Sequence, residues 1–551
     1  MKATYIILAG ALALCTACSK EKDRPVEAAV PVTLTARIAD ETKATLSESD
    51  GTFAFSNTDV IKVYNGTGVY ASTGVTISDG DATFTMESGF TDTGSGFAAF
   101  PAGIVNDIYK EEEVVKVSLT LPTTYTYSQV GGLDPGTSPD ASLAMVPCPM
   151  IASYTAGSDL KFKQAGAVVR FRITECVAGD ITFTFTSKVT GTVTLANVPS
   201  GDGDGILATS LSNAGYSITV TGVPAVTTGN YIFITLPVPT GTDPLNVGIW
   251  NKGTSMNKVA TLRNATPGSL TRAGGWKRSV TLADVKDAAT FDGKILAGDL
   301  YYTGSYVYAI MEDPLDVLKY YSVNNTTSDN ENSNNPIFYF SWDFFKDHGA
   351  SFEIGGKNYY VPSSGDSGEW HGIVGTTRGG AKVMGNVAHY AFLTVTDVNS
   401  SIYHTGNNTG TIGGLLLFPD NAIIAVPSGA KLDTFDAADG DTYNVTTNNN
   451  TISLDGFKDL LNQGCSFFPT AGFWNSSTWY KFYWGRGWYG IDEVGTYWSQ
   501  TSLDDSKAYA LTVLRNHSTN SVPNLIAPAA HDDKSGIFYP VRLIRVPPAA
   551  P

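Results

Sequence analysis

The sequence predicts a mainly β protein whose C-terminal part is α+β. Three observations predict it. Charged residues make up only 16% of the chain, while Gly, Thr, Ser, Asn and aromatics abound, the balance of a β-rich exported protein rather than a helical one. Period-two alternation of apolar and polar residues dominates from Val32 onward. Clusters of Gly, Asp, Asn and Pro break these runs roughly every eight to twelve residues, as in β-sandwiches.

The elements follow in order. In Ile181-Thr182-Phe183-Thr184-Phe185-Thr186 the apolar side chains take one face and the threonines the other, so one face is expected to be wet. Ala167, Val169, Phe171 and Ile173 alternate with Val168, Arg170 and Arg172 in the same way, and further strands are expected at residues 231–238 and 245–250. A composition shift marks a boundary near residue 280. All six histidines and seven of the nine tryptophans lie beyond it. Residues 322–335 are a polar run that cannot bury apolar area, and so a solvated loop. After it, residues 340–347 and 454–461 are expected to form short helices, the second with Leu454, Phe457, Leu460 and Leu461 on one face.

The N-terminus predicts the compartment. Lys2 and the short apolar stretch from Tyr5 to Ala13 are too brief for a bilayer helix, which needs roughly 20 residues, and read as a secretory signal. Small residues, Thr16 and Ala17, precede Cys18, which suits lipid attachment to its sulfur; the alternative is an ordinary cleaved signal. The expected organisation is a signal peptide at 1–17, a tether at 18–31, sandwiches at 32–155 and 156–280, and a binding domain at 281–551. A length of 551 residues fits that number of domains. No later segment is apolar enough to span a bilayer, so the lipid would be the anchor, on the surface of an outer membrane.

Composition also narrows the partners. A net charge of −16 argues against nucleic acid, since no basic surface is at hand to displace phosphate counterions. The odd number and wide spacing of Cys148, Cys176 and Cys465 do not make a disulfide framework or a zinc pattern. Buried thiols are the default, with a Cys148–Cys176 pairing left open.

The first half resembles the fimbrillin family of pilus subunits. The residues that carry this are Glu41-Thr42-Lys43-Ala44-Thr45-Leu46, then Phe53-Ala54-Phe55-Ser56-Asn57-Thr58-Asp59-Val60-Ile61-Lys62-Val63-Tyr64. Gly96-Phe97-Ala98-Ala99-Phe100-Pro101 and Leu160-Lys161-Phe162-Lys163-Gln164-Ala165-Gly166 follow in order, with Thr58 standing where the family usually has Gly. The resemblance implies two tandem transthyretin-like β-sandwich domains breaking near residue 155. The second half is similar to a C-type-lectin-like domain of bacterial surface lipoproteins, through Tyr360-Val361-Pro362-Ser363, Gly368-Glu369-Trp370 and Gly413-Gly414-Leu415-Leu416-Leu417-Phe418-Pro419-Asp420-Asn421. Gly464-Cys465-Ser466-Phe467-Phe468-Pro469, Gly495-Thr496-Tyr497-Trp498-Ser499 and Tyr539-Pro540-Val541-Arg542-Leu543-Ile544-Arg545 continue it. It implies an α+β core with binding loops, a core in which Tyr497 and Trp498 are buried and residues 418–421 make a strand-end turn.

Candidate ligand-binding residues are Trp474, Trp479, Tyr480, Tyr483, Trp484, Arg486, Trp488 and Tyr489, in what the motif spacing makes a long loop. Aromatic faces stack on sugars and anchor interfaces at low entropic cost; the alternative is that the rings pin the loop to its own domain. Asp504-Asp505 and Asp532-Asp533 are calcium ligands by type, but calcium-dependent lectin signatures are absent, so solvated loop acids are the preferred reading. No metal, cofactor or catalytic residue is expected. His371 beside Trp370 reads as a packed neighbour, Glu369 and Glu493 are not assignable as an acid/base pair, and Cys465 sits in an apolar run. The chain is not expected to be an enzyme.

The fimbrillin resemblance implies joining of subunits by strand exchange, after a protease removes the first strand. Arg37 is the candidate processing point, the alternative being an outward strand residue. The last strand is expected inside the lectin-like core, and the Pro-rich tail after it is a poor strand donor. These readings predict a cell-surface adhesin at a pilus tip, whose partners are other pilus subunits and a host or bacterial glycan or protein. The alternatives are a structural surface lipoprotein outside any filament and, less favoured, a carbohydrate-active enzyme.

Overall fold

The computed structural model describes residues 31–38, 55–79, 81–112, 114–127, 149–164, 166–197, 206–225, 230–237, 246–262, 275–285, 289–302, 307–311, 313–318, 338–344, 349–365, 367–400, 410–430, 432, 443–445, 450–472, 474–475, 494–514, 524–534 and 537–545. The described residues are mainly β, arranged in many sheets. Strand-forming alternation and turn-rich punctuation give that outcome, as the composition predicts.

The first strand, Thr33–Ile38, belongs to a closed seven-stranded barrel. It lies between Asp81–Met86, to which it is antiparallel, and Leu160–Gln164, to which it is parallel. Strand pairing crosses residue 155 in both directions. Leu160–Gln164 closes the first barrel, while Val114–Leu121 pairs with Thr190–Asn197 and Thr124–Thr126 pairs with Ser217–Val223. The barrel interior is aromatic: Phe55 stands edge-on to Phe84, Phe100 and Phe162 at centroid separations of 5.4, 5.6 and 5.8 Å, a favoured geometry because each ring's positive edge meets a negative face.

The next core lies between Gly166–Thr174 and Gly179–Phe185 with their neighbours. Val169, Phe171 and Ile173 are buried against Ile181, Phe183, Ile218, Val220, Val247 and Ile249, so the predicted alternation is seen directly. The second face of Gly179–Phe185 is a correction. Thr182 and Thr184 are buried, with hydroxyls paired to Thr219 and Ser217 at 3.1 and 2.9 Å. That face is covered because the C-terminal region packs against this sheet. A Cβ added to Gly248 would lie 2.6 Å from the Ile423 carbonyl oxygen, and Asn257 Nδ2 donates to the Gln463 carbonyl at 3.5 Å.

In the C-terminal region, strands from its beginning and its end meet. Ile295–Tyr302 pairs antiparallel with Arg542–Arg545, which in turn adjoins Lys357–Tyr360. Two described helices, Glu369–Val374 and Leu454–Asn462, accompany several small sheets. The second is the expected amphipathic helix; Ser453 caps it, its hydroxyl accepting from Gly456 N at 3.3 Å. Residues 340–347 are not one helix. Phe340–Ser341 is a strand paired with Phe538 and Tyr539, and helical geometry is present at residues 343–344. The Phe-Ser-Trp run satisfies strand pairing and burial as readily as a helix face. Among the described residues, no helix is long and apolar enough to cross a membrane.

Candidate functional site

The site begins with alternation. In Thr33–Ile38, Leu34 and Ala36 point inward and are almost fully buried, while Arg37 points out and is exposed. Leu34 stands beside Phe84, and Ala36 sits between Ala82 on one seam and Leu160 on the other. The parallel seam is short: its register runs from Ala36↔Leu160 to Ile38↔Phe162. Arg37 therefore occupies an outward position on a strand paired along both sides. Loss of this strand would strip one row of backbone partners from each neighbour and open the apolar interior.

The last described strand is held by different chemistry. Arg542 lies in the interior of the C-terminal region, with its Nε 2.5 Å from Asp299 Oδ1 and both residues almost wholly buried. Its remaining nitrogens donate to Ser466 Oγ at 3.0 Å and to the Phe467 carbonyl at 2.9 Å. The guanidinium also lies 4.3 Å from the Phe468 ring centroid. Burial pushes the Asp299 carboxyl above its ordinary range, and the neighbouring Arg542 charge pulls the other way. Leu543 and Ile544, next in the strand, have no exposed surface.

A second buried pair supports the turn after Ile412–Leu417. Arg378 Nη1 lies 2.7 Å from Asp420 Oδ1 and 2.7 Å from the Phe418 carbonyl. Asp420 also accepts from the backbone N–H groups of Gly380 and Asp292. The strand-end turn at residues 418–421 is thus present, with Asn421 at φ 60°. Sequence reasoning did not assign roles to Asp299, Arg378 or Asp420. The available signal was weak: charges flanked by apolar residues, as in Val541-Arg542-Leu543-Ile544, are either outward or paired inside.

No protein-family model matches the sequence, and no curated protein does. It is similar, distantly, to solved structures. Two are described provisionally as cell adhesion proteins, from Bacteroides ovatus (13% identity, 46% of this chain and 92% of that one, TM-score 0.26) and Bacteroides uniformis (14%, 46% and 95%, 0.25). A third is a variant of the major pilin of Streptococcus pyogenes, at 12% identity, 46% and 99% coverage and a TM-score of 0.11. Likenesses this slight fix neither fold nor role.

Cys18, and Trp479, Tyr480, Tyr483, Trp484, Arg486, Trp488 and Tyr489, lie outside the described residues; of Trp474, the backbone is described, in a short strand paired with Phe538. Glu493 and Cys148 also lie outside them. Tyr497 and Trp498 are fully buried, with Tyr497 edge-on to Phe468 at 5.1 Å. Glu369 serves the structure: it accepts from Tyr360 Oη at 2.7 Å and Ser363 N at 3.0 Å, and pairs with Lys294 at 3.3 Å. Burial pushes the Cys465 thiol up, which keeps it from the reactive thiolate form. Cys176 is buried and its Sγ faces the Pro224 carbonyl at 3.6 Å.

Of the calcium candidates, Asp504 Oδ1 accepts from Ser506 N, Ser506 Oγ and Lys507 N within its own turn. Asp532 accepts from Tyr539 Oη. Among the described residues, no cluster of His, Cys, Asp or Glu is arranged to hold a metal ion.

Proposed function

We propose that this chain is a fimbrillin-like surface adhesin without enzymatic activity, exported and anchored to the outer membrane through Cys18. Its N-terminal barrel accepts a strand from a neighbouring subunit in a pilus, at the tip, and its C-terminal lectin-like region binds a glycan or protein on a host or another bacterium. One observation carries the reading: the first and last described strands are held unequally. Thr33–Ile38 packs into its barrel through Leu34, Ala36 and the partly buried Ile38, whereas Arg542–Arg545 is fixed between two strands of its own sheet by a buried ion pair. The first is suited to exchange, and the second is not available to lend.

Mass spectrometry of the surface form tests the assembly. A polypeptide beginning at Ile38 is expected, with the Arg37→Gln variant retaining its lipidated Cys18 and failing to enter filaments. The barrel's closure by its own strand favours a second reading, a structural lipoprotein that stays whole; a surface population that uniformly retains lipidated Cys18 would establish it in place of the first. Binding is tested separately on the full chain. Alanine at Trp479, Trp484 and Trp488 together should abolish capture by glycan or matrix-protein arrays without altering the melting curve, and retained capture would refute the assignment of that loop.

A further inference from the structure

We infer that the strand accepted in place of residues 33–37 carries a large apolar side chain and, two residues later, a small one. This rests on the strand-exchange reading and specifies its partner: an extended segment of another subunit with that size pattern.

Two neighbouring strands supply backbone partners, so any sequence able to extend satisfies the seams. Selection therefore falls to the side chains that enter the barrel. Leu34 is 4% exposed and is in register with Phe84. Ala36 has no exposed surface and stands directly between Ala82 and Leu160, which have none either. Two methyl groups, those of Ala36 and Ala82, thus lie side by side in a core that also contains Phe55, Phe84 and Phe162. A larger residue at the second position overpacks this place, and a small one at the first leaves a void beside Phe84.

The outer face adds little discrimination. Lys161 lies across one seam from Arg37, and the antiparallel register places Asp81 across the other, one step beyond Ala82. Opposite charges flank that position, so neither sign is strongly preferred there. Val32, two residues ahead of Leu34, is half-buried and packs on the edge of the same core, so that position tolerates several apolar types.

The test uses the full chain with a site-specific protease sequence placed within residues 39–54, cut so that the first strand is no longer covalently held. Synthetic peptides then compete for the barrel: Val-Thr-Leu-Thr-Ala-Arg, a large–large version with Leu in place of Ala, and a small–small version with Ala in place of Leu. The first is expected to bind and raise the melting temperature, and each of the others to bind at least about tenfold more weakly. Equal binding of the large–large peptide would overturn the size rule while leaving strand exchange standing. Failure of even the first peptide to bind a cut barrel that stays folded and has lost its own strand would remove the strand-exchange reading itself. Should the cut chain unfold, the uncut chain decides: Ala36→Leu is expected to lower the melting temperature, whereas Thr35→Val, on the outer face, leaves it unchanged. Equal effects of the two substitutions would overturn the rule.

Discussion

In the N-terminal barrel, the strand Thr33–Ile38 hides Leu34 and Ala36 and leaves Arg37 in water. In the C-terminal region, the strand Arg542–Arg545 hides Arg542, Leu543 and Ile544 in a row. The first pattern is that of a sheet with one face on a core and one in solvent. The second puts a guanidinium inside, where it survives because Asp299, Ser466 and the Phe467 carbonyl occupy its donors. One chain thus holds one strand by apolar packing alone and another by a buried charge pair. A strand held by backbone pairing and by apolar side chains, the buried Leu34 and Ala36 with the partly buried Ile38, leaves no charge stranded when it departs. A strand that carries one half of a buried ion pair cannot leave without stranding the other half.

Removing one partner of the buried pair tests how the C-terminal strand is held. Asp299→Ala should cost about 3–5 kcal/mol, because it leaves the Arg542 charge buried without its carboxylate. Replacing both, as Asp299→Leu with Arg542→Met, should restore most of that loss. Urea denaturation of the three proteins checks it; a single variant as stable as the parent would show that the last strand is not held by the pair. In the barrel, Leu34→Ala should cost about 2–5 kcal/mol by leaving a cavity beside Phe84. Arg37→Gln should change stability by no more than about 0.5 kcal/mol, since the side chain is exposed. If Arg37→Gln destabilised as much as Leu34→Ala, the two faces of the first strand would not differ as described.

Between these regions lies the sheet that contains Gly248. Gly248→Val should cost about 1–3 kcal/mol, because its side chain would meet the Ile423 backbone. Val259→Thr, at an exposed position on the adjoining strand, should be close to neutral. Melting curves distinguish them, and a neutral Gly248→Val would mean that the C-terminal region does not bear on this sheet.

Period-two alternation made the strands legible, as Val169, Phe171 and Ile173 show, and turn residues marked where they stop. The apolar face of Leu454–Asn462 was legible for the same reason, because it is local, whereas the Ser453 cap was not read from the sequence. Long-range pairing was not. Nothing within residues 181–186 signals that Thr182 and Thr184 lie beneath another part of the chain, because threonine suits a wet face and a hydrogen-bonded dry one alike. Nor does any local pattern place Leu160–Gln164 beside Thr33–Ile38, or Asp299 beside Arg542, 243 positions apart. Such contacts are set by which strands meet, and alternation carries no information on that. The candidate site was legible to the same extent. The outward position of Arg37 follows from alternation, while the pairing of its strand on both sides does not.

A turn in the C-terminal region, at Asp504-Asp505, resembles a cation loop in composition. Hydrogen bonds from Ser506 and Lys507 hold the Asp504 carboxyl below its ordinary range. A carboxyl whose folded-state value is depressed contributes stability that is complete above the unfolded value, about 3.9, and is lost as pH falls through the lower folded value. Asp504→Ala should therefore lower stability slightly at neutral pH, and the gap from the parent should close below about pH 4 as the parent's own carboxyl takes up a proton. Because the group is exposed, solvent keeps the effect small. Adding calcium separates the two roles of the acid. If the carboxylate serves its own turn, millimolar calcium leaves both melting curves where they were. A rise confined to the parent would instead make Asp504 a ligand and the turn a site.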